Sequence, residues 1–139
     1  MTAYVDSSII LRLVLSQPGA ISEPARLEPG VTSELAQLEC LRALDRMRLR
    51  GVLPDQYTAL ARQRVMRILG ALTLLRVDHV VLDLAARALP VPLGSLDAIH
   101  LATALLWRDT EDPELAFATH DRALGAAARA FAFEVIGLG

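Results

Sequence analysis

Short β-prone apolar runs alternate with longer helical stretches along the whole chain, and this alternation constrains the fold more than any other sequence feature. Residues 2–5 are β-prone and stop at Asp6-Ser7-Ser8, residue types that open helices. Further strands are predicted over 31–32, 72–77, 115–119 and 133–138, the run 72–77 reading as a buried strand. Helices are predicted over 9–15, 33–50, 55–69, 81–89, 95–108 and 122–130, with Gly51, Pro54, Pro90 and Pro92 punctuating the turns. Residues 16–30 hold Pro18, Gly19, Pro24, Pro29 and Gly30 and read as loop with at most one brief helix. Strands and helices in alternation predict an α/β fold with a parallel sheet covered on both faces. No repeat, linker or low-complexity stretch divides the chain, so a single domain over 1–139 is expected.

Composition narrows the class. With 53% apolar residues the chain can build a core, since a domain of this size buries roughly 68–70% of its unfolded surface. Cys40 is the only cysteine, which excludes an internal disulfide and points to a soluble, intracellular protein. Asp6 interrupts the first apolar stretch, so no signal peptide is expected, and the apolar run 96–107 is too short to span a bilayer. All 14 basic residues are arginine. The lack of lysine is explained most simply by compositional bias, but it excludes Schiff-base chemistry, a P-loop lysine and a lysine general base. Arginine's planar fork also suits phosphate recognition. The net charge of −2 offers no global attraction to a polyanion.

The acids carry the chemistry. Asp6 lies just past the first predicted strand and Asp121 just past the fourth. Ligands of open α/β sheets bind outside those carboxyl ends, where the strand order reverses. Asp97 sits in the first turn of a helix that is otherwise nearly all apolar and therefore buried, with Ser95 as its expected cap. Helix capping accounts for each acid taken alone; three caps opening toward one end of the sheet favour a shared site. Glu39 is in mid-helix on a line with Ala36, Ala43, Arg46 and Arg50. That face suits a cleft wall and a salt-bridged surface equally, and periodicity leaves the choice open. Glu34, in the first turn, reads as a dipole-stabilising acid. Two carboxylates about 5 Å apart repel by about 3 kcal/mol at an effective dielectric of 20. Four together therefore need protons or a cation. All-oxygen donors select Mg²⁺ or Mn²⁺ over zinc, and such a site suits hydrolytic phosphodiester cleavage.

Four segments carry a resemblance to a known family: Tyr4-Val5-Asp6-Ser7-Ser8, the run 32–39 ending in Leu38-Glu39, the run 95–104 containing Asp97-Ala98-Ile99-His100, and Ala118-Thr119-His120-Asp121. In this order, and over essentially the whole chain, they resemble the PIN-domain nucleases and specifically the VapC-type toxins of toxin–antitoxin pairs. The resemblance implies a three-layer PIN-like domain with a five-stranded parallel sheet in order 3-2-1-4-5 and helices on both faces. It places the family's four acids on Asp6, Glu39, Asp97 and Asp121, choosing Glu39 over Glu34, with Ser8 and Thr119 supporting them. It implies a Mg²⁺- or Mn²⁺-dependent endoribonuclease acting on single-stranded or structured-loop RNA such as tRNA or rRNA. It also implies a homodimer, a VapB-type antitoxin partner lying across a groove walled by residues 16–30 and the next helix, and a cytoplasmic location without membrane association.

Other residues have plainer explanations. His100, one turn after Asp97, reads as a core histidine bonded to a neighbour, and His120 faces away from its neighbours under strand alternation. Arg46 and Arg50 read as a solvated, partly ion-paired face, and Tyr57 and Trp107 as core or dimer contacts. A phosphorylation receiver needs a lysine that the chain lacks. A haloacid-dehalogenase-type phosphatase needs an acid at Ser8, and a metal-dependent adhesion motif fails at Ile10. The alternative that remains is a catalytically inactive PIN-like module binding RNA or protein, against which the presence of all four acids counts.

Overall fold

The computed structural model describes residues 2–16 and 29–138; the loop expected over 16–30 lies mostly outside them. The described elements are β1 (Ala3–Val5), α1 (Ser7–Leu15), β2 (Gly30–Ser33), α2 (Leu35–Leu49), α3 (Asp55–Gly70), β3 (Thr73–Leu75), α4 (His79–Ala85), α5 (Ser95–Thr110), β4 (Ala116–Ala118), α6 (Arg122–Ala130) and β5 (Val135–Ile136). All strand pairs are parallel, and the order is β3-β2-β1-β4-β5, as expected.

Successive side chains of a strand point to opposite faces, and here they feed two separate cores. Ala3, Val5, Ala116 and Ala118 pack beneath α1, α2 and α3 with Ile9, Ile10, Leu44 and Val65. Tyr4 and Phe117 point the other way, beneath α5 and α6, with Leu101, Leu105, Leu124 and Phe133. Strands buried on both faces, rich in apolar residues rather than alternating, are what a parallel sheet between helical layers requires. β1 and β4 are neighbours, in register from Ala3 opposite Ala116 to Val5 opposite Ala118. The chain leaves β1 toward β2 on one side and returns on the other as β4, so the strand order reverses between their carboxyl ends.

Several expectations change. The run 72–77 shortens to β3, whose Thr73 and Leu74 are exposed: it is the edge strand, with no neighbour on one side, so its apolar residues do not make it buried. Ser95 does not cap α5. Gly94 holds that position without a side-chain bond, and Ser95 is the first helical residue. α4 begins earlier than expected because Asp78 caps it, accepting from the Val81 amide at 3.0 Å. Glu34 is not in the first turn of α2 but at its N-cap position. Its side chain accepts from the Val77 amide at 2.9 Å and ties the exit of β3 to the start of α2.

Candidate active site

Asp6 terminates β1 and caps α1. Its Oδ1 accepts from the Ser8 amide at 3.0 Å, the Ser8 hydroxyl at 2.6 Å and the Ile9 amide at 3.4 Å. The other oxygen, Oδ2, accepts from the Thr119 hydroxyl at 2.7 Å. Asp6 is only 3% exposed. Burial raises its pKa above the usual aspartate value; the Ser8 and Thr119 hydrogen bonds pull against that.

Asp121 occupies the equivalent place after β4, where its Oδ1 caps α6 by accepting from the Leu124 amide at 3.0 Å. Both strand-end acids are therefore helix caps, and capping is compatible with a place in a shared site. Thr119 joins them, since its Oγ1 donates to Asp6 and accepts from the Asp121 amide at 2.9 Å. The Ser8 hydroxyl adds a second link by accepting from the His120 amide at 2.9 Å.

Asp97 enters from the first turn of α5, half-buried and without a hydrogen bond or ion pair among the described residues. Its pKa is raised, first by desolvation and then by the charges of Asp121, Asp6 and Glu39. One carboxylate thus senses the other three, so residues far apart in sequence share one electrostatic environment. Among the described residues, no three His, Cys, Asp or Glu side chains are drawn into a ready-made metal cage.

Glu39 reaches the site from the middle of α2, and its partner is His100 of α5: His100 Nε2 meets Glu39 Oε1. The opposite ring nitrogen, Nδ1, lies 2.6 Å from the Tyr4 hydroxyl. His100 is thus the bonded core histidine expected, but its neighbours come from two other elements. A groove of about 290 Å³ runs along Glu39 past Leu11, Leu38, Arg42, Arg46 and Leu96. Arg42 is paired with Asp45, whereas Arg46 and Arg50 are exposed and carry no ion pair among the described residues.

Tyr57 is exposed. Trp107 packs against the second core with a buried Nε1 that has no partner among the described residues. His120 is buried, and its Nδ1 lies 2.7 Å from the Gly137 carbonyl. Sequence reasoning missed Tyr4 as a polar partner of the site. Its only local signal was its place two residues before Asp6.

The PIN-domain family model matches residues 3–130, most of the chain. The chain belongs to the PIN-domain family. Ribonuclease VapC46 of Mycobacterium tuberculosis is 44% identical over 104 residues, covering 73% of this chain and 72% of that protein. Among solved structures, FitAcB from Neisseria gonorrhoeae matches this PIN domain with a TM-score of 0.70 at 19% identity, over 97% of this chain and 96% of that one. A toxin–antitoxin complex from Klebsiella pneumoniae matches with a TM-score of 0.60 at 20% identity, over 86% and 87%. These structures support the PIN fold, and VapC46 places the chain among VapC-type PIN domains.

Proposed function

We propose that this PIN domain is the toxin ribonuclease of a type II toxin–antitoxin pair, hydrolysing RNA phosphodiester bonds at the site formed by Asp6, Glu39, Asp97 and Asp121. The observation that carries the reading is the half-buried Asp97 carboxylate, whose pKa is raised by desolvation and then by the charges of Asp121, Asp6 and Glu39. The donors of that environment are all oxygen, which fits Mg²⁺, with Mn²⁺ able to replace it.

Asp6, Glu39, Asp97 and Asp121 would hold the ion. When bound, it supplies a Lewis acid that stabilises charge developing at phosphorus. The protein's own part is positional. Ser8 and Thr119 fix both oxygens of Asp6, and the α6 cap fixes Asp121. The groove beside Glu39, with Arg42 and Arg46, gives an RNA backbone a path to the acids. The substrate on this reading is single-stranded or looped RNA, tRNA or rRNA among them. The partner is a VapB-type antitoxin, the assembly a homodimer and the location the cytoplasm. Among the described residues no helix is long and apolar enough to cross a membrane.

Purified protein freed of antitoxin should cut RNA with Mg²⁺ or Mn²⁺ and stop cutting in EDTA. Asp97→Asn should keep the fold, read by circular dichroism, and lower cleavage by at least about 100-fold. Specific cutting that persists in EDTA would refute the metal reading, and RNA bound but uncut under all conditions would assign a binding role.

A further inference from the structure

Tyr4, His100 and Glu39 form one end-to-end polar chain although they come from β1, α5 and α2. Tyr4 and His100 are 0% and 1% exposed, whereas the Glu39 side chain keeps 19% of its surface. The chain therefore starts inside the second core and ends at the acids. Its inner end is rigid: the Tyr4 ring stacks on Phe117 with centroids 5.2 Å apart and meets the His100 ring edge-on at 5.8 Å.

A phenol is protonated near neutral pH, so the Tyr4 hydroxyl can donate. A neutral imidazole has one donor and one acceptor nitrogen. With the phenol donating to Nδ1, the ring proton must sit on Nε2, where it donates to Glu39. Apolar side chains could fill this space without the desolvation that buried polar groups suffer. A polar chain ending on one particular carboxylate calls for a role at that carboxylate.

We propose that Tyr4 and His100 are positioning residues: Tyr4 selects the Nε2–H tautomer of His100, and that donor fixes Glu39 Oε1, leaving Oε2 for the site. The proposal rests on reading Glu39 as one of the metal-holding acids. Partners that orient ligating groups typically contribute roughly 10–100-fold to metal affinity.

The test uses the full chain, ¹⁵N-labelled and metal-free, and then Mn²⁺ titrated by calorimetry. Long-range ¹H–¹⁵N spectra should show His100 protonated on Nε2 alone, and Tyr4→Phe should weaken that preference, leaving the Glu39 carboxylate alone to hold the Nε2 proton. Tyr4→Phe and His100→Leu should each weaken Mn²⁺ binding about 10-fold or more. His100→Gln, whose amide nitrogen can stand where Nε2 stood, should recover most of that loss. If His100→Leu does not fold, Tyr4→Phe and the tautomer carry the test. A wild-type His100 protonated on Nδ1 overturns the proposal, as does wild-type Mn²⁺ affinity in folded His100→Leu or Tyr4→Phe. If the wild-type chain takes up no Mn²⁺, the metal reading fails instead, and the tautomer still decides the relay.

Discussion

Thr119 and Cys40 show how single side chains report on the acidic site. The Thr119 hydroxyl donates to Asp6 and accepts from the Asp121 amide, so one oxygen sets the spacing of two acids from adjacent strands. Thr119→Val keeps the shape but leaves a buried carboxylate short of a donor. A loss of about 1–3 kcal/mol in urea unfolding is expected, with recovery in Thr119→Ser. A neutral result for the valine variant would mean that Ser8 alone suffices to hold Asp6. Cys40 lies beside the acids on α2, fully buried, and its thiol is pushed up to about 12 by desolvation and then by the Glu39 and Asp6 charges. It should therefore resist iodoacetamide in the native protein and react only after unfolding. Rapid native labelling would show that α2 opens locally.

At the scale of elements, the short strands act through the helices they lead into. β1 and β4 are three residues each, yet each delivers an acid to a helix N-terminus at the same end of the sheet. β5 has a supporting role that depends on glycine. Gly137 comes directly after it at φ +105°, and a Cβ there would lie 2.5 Å from the Thr119 carbonyl oxygen. Gly137→Ala combines that collision with a backbone conformation costing about 1–3 kcal/mol for other residues. The midpoint of thermal unfolding should fall, and cleavage should fall with it because Thr119 would move off Asp6. An alanine variant as stable and active as wild type would mean that the end of β5 does not brace Thr119. Strand β3 shows the limits of local pattern. Leu72 to Leu75 are apolar enough to read as buried, but the edge position, set by the other strands, leaves Leu74 exposed.

For the whole molecule, the gathered acids oppose folding near neutral pH. Asp6 and Asp97 both have folded-state pKa values above the ordinary aspartate value. The folded state therefore binds protons more tightly than the unfolded chain, and stability falls as pH rises. The contribution is complete below the unfolded aspartate value, about 3.9, and is lost as pH climbs through the raised folded values. Asp45 is lowered by its Arg48 hydrogen bond and acts in the opposite sense, but only near and below the unfolded value. On acidification from neutral pH toward the ordinary aspartate value, about 3.9, then, the metal-free protein should melt at higher temperature. Asp97→Asn should flatten that rise, and Mg²⁺ at pH 7 should raise the wild-type melting temperature. A melting temperature that falls on acidification through this window would contradict a desolvated acidic cluster.

Local sequence determined the order of strands and helices, the two acids that close strands at Asp6 and Asp121, and the apolar helix that carries Asp97. Each of these depends on residues a few positions apart, through pleat, helical period and capping. Glu39 and its partners were different. Whether its face lined a cleft depended on which helix packed against α2, and the contact to His100 joins residues 61 positions apart. The Tyr4–His100 contact spans 96 positions. Such pairings arise from packing of the whole sheet and its two helical layers, so only the tertiary structure could assign them.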